Sequence, residues 1–365
     1  MAEEIYMRQA IELAKKGVGR VDPNPLVGAV IVKDGKVVGR GYHEEYGKLH
    51  AERNAIADMK ANGYTGEGAD IYVTLEPCGH YGKTPPCAEA IIENKFARVI
   101  IGSRDPNPKV SGLGVRQLRA AGIEVVEDFL KYECDSLNTV FFHYITSGRP
   151  FVLMKYAMTL DGKIASKTGM SRWISGEESR AEVHRYRNKY VGIMAGIGTV
   201  LADDPMLNTR IEGGRDPVRI ICDSKMRIPL DCKIVKTADK YRTILVFTEE
   251  NKEKAEILKK SGVELLKIEN YRDGRISLEA LMYKLGELKI ASILAEGGGT
   301  LNYSLLAGGL VNEIKVFIAP KIFGGKARSP VEGEGVETPD EAFEFELTDT
   351  QITGKDICLT YRPVK

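Results

Sequence analysis

Short apolar runs rich in valine and isoleucine alternate with helix-patterned stretches along almost the whole chain, and that alternation leaves few folds open. Residues 26–32, 71–75 and 98–102 read as strands, while 3–16, 50–61, 87–94, 113–121 and 128–146 carry helical spacing. Asp34-Gly35 between two strand-like runs marks a hairpin. Such ordering predicts an α/β layer around a largely buried sheet. Gly148-Arg149-Pro150 interrupts it. A fresh strand then starts at Phe151, and runs at 191–195, 218–222, 243–247 and 290–295 alternate with helices at 253–261 and 278–288. Two apolar runs around Thr353-Gly354-Lys355 predict a hairpin. The 365 residues are too many for one ordinary core, so two different α/β domains are expected, 1–148 and 149–365.

Composition narrows the function classes. Hydrophobic residues make up 43% and charged residues 28%, a globular balance. A formal net charge of +1 advertises neither nucleic acid nor membrane as partner. The N-terminal stretch lacks the basic start and apolar run of a signal peptide, and no run approaches the length of a membrane span. Six cysteines are too sparse for a disulfide framework. A cytoplasmic protein is the expectation.

Three of the candidate metal donors sit at element ends. His50 opens a helix, Cys78 closes a strand and Cys87 opens the next helix. One imidazole and two thiolates suit zinc and leave a fourth position for water, whose pKa zinc lowers to about 7. Glu52, two residues beyond His50, can shuttle that water's proton to a departing amine. The N-terminus of its helix favours a Cys87 thiolate. His-x-Glu with Pro-Cys and a second Cys matches the zinc nucleobase deaminase signature, except that eight residues, not two, separate the cysteines. The alternatives are two ordinary buried thiols, or a structural zinc site with His43 or His80 as fourth ligand, which gives Glu52 no task. In the second half, Gly196-Ile197-Gly198-Thr199 and Glu296-Gly297-Gly298-Gly299-Thr300 follow strands; each reads either as an anion cradle or as a plain turn.

Together with Asn24-Pro25-Leu26-Val27-Gly28, His50-Ala51-Glu52, the stretch from Glu76 to Cys87, Asp105-Pro106-Asn107-Pro108 and Leu160-Asp161-Gly162-Lys163, the chain resembles the bifunctional riboflavin-biosynthesis family over essentially its whole length. In that family a pyrimidine deaminase is fused to a reductase, and the wide cysteine gap is characteristic; most members read serine at the position of Gly79. The resemblance implies a cytidine-deaminase-like α/β/α domain followed by a dihydrofolate-reductase-like α/β domain. It implies one Zn2+ in the deaminase domain and NADPH in the reductase. The substrate would be a diaminopyrimidinone carrying a ribosylamino 5′-phosphate, deaminated at its 2-amino group before the ribosyl group is reduced to ribityl.

Carried over by position, Asn24, His43, His80, Lys83, Asp105 and Asn107 would hold the deaminase substrate. Asn24 could instead shape a turn, Lys83 be solvated charge, and either histidine a satisfied core residue. Ala157, Trp173, Thr199, Asp203, Ser224, Gly298, Gly299, Thr300, Leu301, Asn302, Tyr303 and Ser304 would hold NADPH. Lys155, Ser171, Leu207, Arg210 and Glu296 would face the reductase substrate, Arg210 forking onto its phosphate. Lys225 and Arg227 are the expected readers of the NADPH 2′-phosphate, with Asp223 pulling the other way. Asp203, Glu296, Lys155 and water stay open as proton donors. The partners expected are a small phosphorylated pyrimidine and further copies of the same chain, with no nucleic acid and no membrane. The rival readings are a deaminase of nucleosides or RNA with a degenerate second half, and a non-catalytic zinc-stabilised module.

Overall fold

The computed structural model describes residues 3–81, 85–107, 111–271 and 274–364. By internal packing the chain divides into two units, Met1–Gly148 and Arg149–Lys365.

The first unit runs α1 (Glu4–Lys15), β1 (Gly28–Lys33), β2 (Lys36–Tyr42), α2 (Ala51–Ala61), β3 (Asp70–Leu75), α3 (Cys87–Glu93), β4 (Arg98–Ser103), α4 (Leu113–Ala120), β5 (Glu124–Val126), α5 (Lys131–Leu137) and α6 (Thr139–Ser147). Its sheet has the order β2-β1-β3-β4-β5. β1 pairs antiparallel with β2 and β3, and β3, β4 and β5 run parallel. Asp34 and Gly35 both adopt positive φ, as a two-residue turn between twisted strands requires. Side chains alternate across the sheet. Ala29, Ile31, Ile71 and Val73 pack against α2, α3 and α4, while Val30, Val32 and Tyr72 meet Met7, Ala10 and Ile11 of α1. Burying each such valine or isoleucine is worth about 1.5–3 kcal/mol. Both faces are therefore covered, and the unit is an α/β/α sandwich. Gly41 matters for the site, because a Cβ there would collide with Ala51 O and Ala55 N. Its absence lets the first turn of α2 seat directly on β2.

The continuous helix expected at 128–146 is in fact two, α5 and α6. Asn138 breaks it by turning its buried amide onto Leu26, accepting from the backbone N–H at 2.8 Å and donating to the carbonyl at 2.9 Å. That pairing anchors the turn that holds Asn24.

The second unit runs β6 (Phe151–Thr159), α7 (Glu177–Lys189), β7 (Gly192–Gly196), α8 (Ile197–Asp203), β8 (Val218–Cys222), α9 (Lys233–Lys236), β9 (Thr243–Phe247), α10 (Lys252–Lys260), β10 (Val263–Lys267), α11 (Leu278–Glu287), β11 (Ser292–Ala295), α12 (Gly299–Ala307), β12 (Glu313–Ala319), β13 (Phe345–Thr353) and β14 (Asp356–Pro363). The sheet order is β10-β9-β8-β7-β11-β6-β12-β14-β13. From β10 to β12 every pairing is parallel, and the β13–β14 hairpin closes the edge antiparallel. After β7 the chain moves outward to β8; after β11 it moves the other way, to β12. Strand order thus reverses between β7 and β11, the place where open parallel sheets bind ligands beyond their carboxyl ends.

Helix α7 carries no apolar stripe, which is why helical periodicity does not reveal it; among its residues only Ser179 is fully buried. Its N-terminus is held from far along the chain. Buried Asp356, at the start of β14, accepts from Gly176 N–H at 2.7 Å and from the Ser179 hydroxyl at 2.5 Å. Among the described residues no helix is long and apolar enough to cross a membrane.

Candidate functional site

At the carboxyl end of β3, where α2 and α3 begin, His50, Cys78 and Cys87 come together. Their ligand atoms all lie within 4.8 Å of one another. His50 Nδ1 is 3.6 Å from Cys78 Sγ and 3.4 Å from Cys87 Sγ. Zinc bond lengths at a tetrahedral angle place nitrogen and sulfur ligands about 3.6 Å apart, so this donor set fits zinc. The two thiols are tightly coupled, and each pushes the other in the opposite direction. Cys78 is held down because it accepts from the Cys87 thiol, faces His50 and takes the Cys87 N–H at 3.3 Å. Cys87 is pushed up by donating its thiol proton to Cys78 and by burial. His50 is raised by its hydrogen bond to Cys78.

Glu52 sits in the first turn of α2, 3% exposed. Burial, then the Cys78 charge, pushes its carboxyl up to about 7, and the side chain reaches Cys87. It is thus poised to hold or release a proton beside the donor set without belonging to it.

Among the described residues no fourth protein ligand joins the set. Buried His43 has both ring nitrogens engaged, Nδ1 on Leu49 O at 3.0 Å and Nε2 on the Asn24 amide at 3.1 Å. Desolvation lowers its pKa, so it is a neutral ring that orients Asn24. His80 is exposed and lies near Asp105, whose carboxyl is raised by burial and accepts from Asn107 N–H at 2.9 Å. Lys83 lies outside the described residues. Among the described residues the metal-holding group has three members.

Two supporting residues were not among the expected site residues. Arg53 donates to Pro85 O at 3.2 Å and Pro86 O at 2.9 Å, fastening the chain just before Cys87. Glu76, 6% exposed, accepts from Asp105 N–H and Gly112 N–H at 3.4 and 3.1 Å and so pins the loop of Asp105 and Asn107. Around Gly79 the space is filled: a Cβ would meet Gln117 Oε1 and Gly114 N, each at 2.8 Å. Serine at this position needs α4 to stand further off.

In the second unit a cavity of about 520 Å³ opens at the β7–β11 reversal. Of the expected residues, Ser171, Thr199, Asp203, Ser224, Gly298, Gly299, Thr300, Leu301 and Ser304 line it. Gly298 caps α12, whose first-turn N–H groups have no helical acceptor and suit an anion. Ala157, Trp173, Asn302 and Tyr303 are not among its lining. Trp173 is exposed, with the Arg180 guanidinium 4.5 Å above its ring. Buried Asn302 donates to Pro330 O at 2.8 Å, and Tyr303 donates to Gly335 O at 3.2 Å; both tether the segment that crosses α12. Asp161 is likewise a tether, accepting from Phe323 and Gly324 N–H at 3.1 and 2.7 Å.

Glu296 stands at the end of β11 in an ion-pair cluster. Arg187, absent from the expected set, forks onto it with both contacts at 2.8 Å, and Lys155 Nζ approaches to 3.4 Å. Burial opposes ionisation, but the two cations outweigh it and hold the carboxyl down at about 2. Arg187 also donates to Asn208 O at 3.1 Å, tying the cluster to the loop that carries Leu207, at φ 51°, and Arg210. His184 feels both Arg187 and Arg210 as well as Glu296, so Arg210 belongs to the same neighbourhood. Lys155 and Arg187 against the one carboxylate leave the cluster net positive.

Comparison with known proteins yields two family matches. Residues 1–103 match the cytidine and deoxycytidylate deaminase zinc-binding region, and residues 150–359 match the RibD C-terminal domain. The chain is 52% identical to the riboflavin biosynthesis protein RibD of Actinobacillus pleuropneumoniae over 99% of its own length and 95% of the relative's. Against the same protein of Escherichia coli K12 it is 38% identical, covering 98% and 99%. Among solved structures, Acinetobacter baumannii RibD superposes with a TM-score of 0.88 at 36% identity, covering 99% of both chains. A Thermotoga maritima diaminohydroxyphosphoribosylaminopyrimidine deaminase/5-amino-6-(5-phosphoribosylamino)uracil reductase does so at 0.87 and 39%, covering 99% and 98%.

Proposed function

Since the chain belongs to the RibD family of bifunctional riboflavin-biosynthesis enzymes, we propose that residues 1–148 deaminate the diaminopyrimidinone ribosylamino 5′-phosphate and residues 149–365 reduce its ribosyl group with NADPH. The observation that carries the first half is Glu52, buried against Cys87 yet outside the donor set of His50, Cys78 and Cys87.

Zinc, when bound, supplies the Lewis acidity that brings a water's pKa near 7. Glu52 accepts the proton that the attacking water gives up and returns it to the departing amine, so ammonia leaves neutral. His43 holds the Asn24 amide toward the ring, and Asp105 and Asn107 present polar groups to the ribose phosphate. Lys83 and His80 complete that contact set.

NADPH, when bound, supplies a hydride to the sugar carbon attached to nitrogen. The α12 N-terminus, Gly298 to Ser304, would hold its pyrophosphate, with Thr199, Asp203 and Ser224 along the same cavity. Ala157 and Trp173 complete the cofactor set from beside it. Lys155, Arg210 and Ser171 take the substrate, Leu207 packs against it, and Glu296 orients Lys155. A cytoplasmic homo-oligomer is part of this reading; β13, exposed along nearly its whole length at the sheet edge, offers a surface for a second copy.

A coupled assay on the diaminopyrimidinone phosphate, following ammonia and NADPH separately, tests the division of labour. Residues 1–148 alone should release ammonia and oxidise no NADPH; NADPH oxidation by that fragment with deaminated substrate would refute the assignment. In the full chain, Arg187→Gln removes the fork that keeps Glu296 ionised and Lys155 in place. Loss of such a charged pair costs about 1.5–3 kcal/mol, so kcat/KM for NADPH oxidation should fall about 10- to 100-fold, with ammonia release unchanged.

A further inference from the structure

We propose that Arg53 and Gln117 are positioning residues of the deaminase, clamping the two ends of the segment between Cys78 and Cys87 so that both sulfurs meet His50 at the zinc site. The inference rests on the deaminase reading above and deepens it.

The need for clamps lies in the spacing. Two residues between the cysteines, as in the nucleobase deaminase signature, leave little chain between the ligands to fix. Here eight intervene, and a longer loop costs more entropy to close. Two bonds join its ends directly: Cys87 N–H donates to Cys78 Sγ at 3.3 Å and Ala88 N–H to Cys78 O at 3.1 Å. These bonds fix one cysteine against the other. They do not fix the pair against His50 and Glu52, which belong to the start of α2.

Arg53 supplies that tie on one side. It follows Glu52 on a helix anchored in the core by Ala51, Ala55, Ile56 and Met59. Its guanidinium donates through Nε to Pro85 O at 3.2 Å and through Nη2 to Pro86 O at 2.9 Å. Pro86 is the N-cap of α3, and Cys87 is the first residue of that helix. One planar group on two successive carbonyls sets the direction in which the chain enters α3. A lysine ammonium cannot fork in that way.

Gln117 supplies the tie on the other side. Its amide donates to Gly79 O at 3.0 Å, the first carbonyl beyond Cys78. It does so from α4, whose Val115 and Leu118 are buried in the core. The fit is close. A Cβ on Gly114 would collide with Pro77 O, and one on Gly79 would stand 2.8 Å from Gln117 Oε1. Glycine at both positions lets α4 lie against the end of β3, within reach of the residues on either side of Cys78. A further side-chain contact of the segment, the Tyr81 hydroxyl on Glu89 at 2.8 Å, runs to α3 itself and ties it to neither α2 nor α4.

The test uses the full zinc-loaded chain and reads the metal as well as the activity. Arg53→Met and Gln117→Leu keep much of each side chain's bulk and remove its donors. Each should speed zinc transfer to a chromogenic chelator about 10- to 100-fold, the usual effect of losing a contact behind a metal ligand. In the Co2+-substituted chain each should shift the d–d and thiolate-to-metal absorption bands, which report ligand geometry. Ammonia release should lose a similar factor in kcat/KM, while far-UV circular dichroism and NADPH oxidation stay unchanged. Arg53→Lys reaches one carbonyl and should fall between; it carries the arginine arm alone if Arg53→Met does not fold. Zinc transfer and cobalt bands equal to those of the unsubstituted chain overturn the inference, even where the melting temperature falls, because a merely structural contact gives that result. The deaminase reading would then still stand. An unsubstituted chain that binds no zinc and releases no ammonia overturns both.

Discussion

Replacing Glu52 by glutamine is expected to leave one zinc per chain and to lower ammonia release by about 10²- to 10⁴-fold, the usual worth of a positioned acid–base group. Glutamine keeps the size and the hydrogen-bonding reach of the side chain but cannot carry the proton. His50, Cys78 and Cys87 are untouched, so metal content, measured by atomic absorption, should not change. NADPH oxidation with deaminated substrate should also persist, because Glu52 lies in the other unit. Full ammonia release by the variant would remove Glu52 from the mechanism. Loss of zinc would instead make it part of the metal site's support.

The largest expected effect on stability belongs to Arg219, a residue no functional argument touches. It points from β8 into the core with 0% exposure and has no carboxylate at hydrogen-bonding distance among its described partners. Burial pushes its guanidinium down to about 10, still charged at neutral pH. Carbonyls and hydroxyls carry the charge instead. Its donors reach the carbonyls of Met206, Ile234, Thr237 and Tyr241 and the hydroxyls of Thr237 and Thr243. Arg219→Met fills similar space but takes the donor from the carbonyls of Met206 and Ile234, while Thr237 O keeps the Lys240 and Tyr241 N–H groups and Tyr241 O keeps the Thr243 hydroxyl; each orphaned carbonyl costs about 1–3 kcal/mol. The hydroxyls can re-pair, so about 3–5 kcal/mol is the expected total, or roughly a 10 °C fall in the melting temperature of a unit this size. Arg219→Lys restores some donors and should fall between. Denaturant unfolding measures both, and a loss below about 1 kcal/mol for methionine would mean that water replaces the guanidinium.

The first unit was more legible than the second, for a physical reason. Metal chemistry demands particular residue types at element ends, so His50, Cys78, Cys87 and the adjacent Glu52 announce themselves. Strands buried on both faces leave continuous apolar runs, and those at 71–75 and 98–102 are visible for that reason. Arg187 had no such mark. It sits on a helix whose buried face is built from polar side chains packed on other polar groups, and its partner Glu296 is remote in the chain. Asn138 looked like one more helical residue, because its demand for Leu26 arises only in the folded chain. Asp223 was the instructive ambiguity. Beside Lys225 and Arg227 it pulled the other way, toward NADH, and only its burial and its bond to the Ile228 N–H show that the carboxylate serves the turn.

Asp356 carries a further consequence, about order in time. The donors and acid of the first site are all made by residue 87, and the sheet around them is complete by β5. The second unit is wired differently. The N-terminus of α7, the helix of Arg187, takes its buried acceptor from residue 356, and β12 gains one neighbour only from β14. On a growing chain, the deaminase half can close while the reductase half still lacks the residue that holds the N-terminus of the Arg187 helix. Newly made chains therefore pass through an interval in which only the first of two successive activities is assembled, the same order in which the substrate needs them.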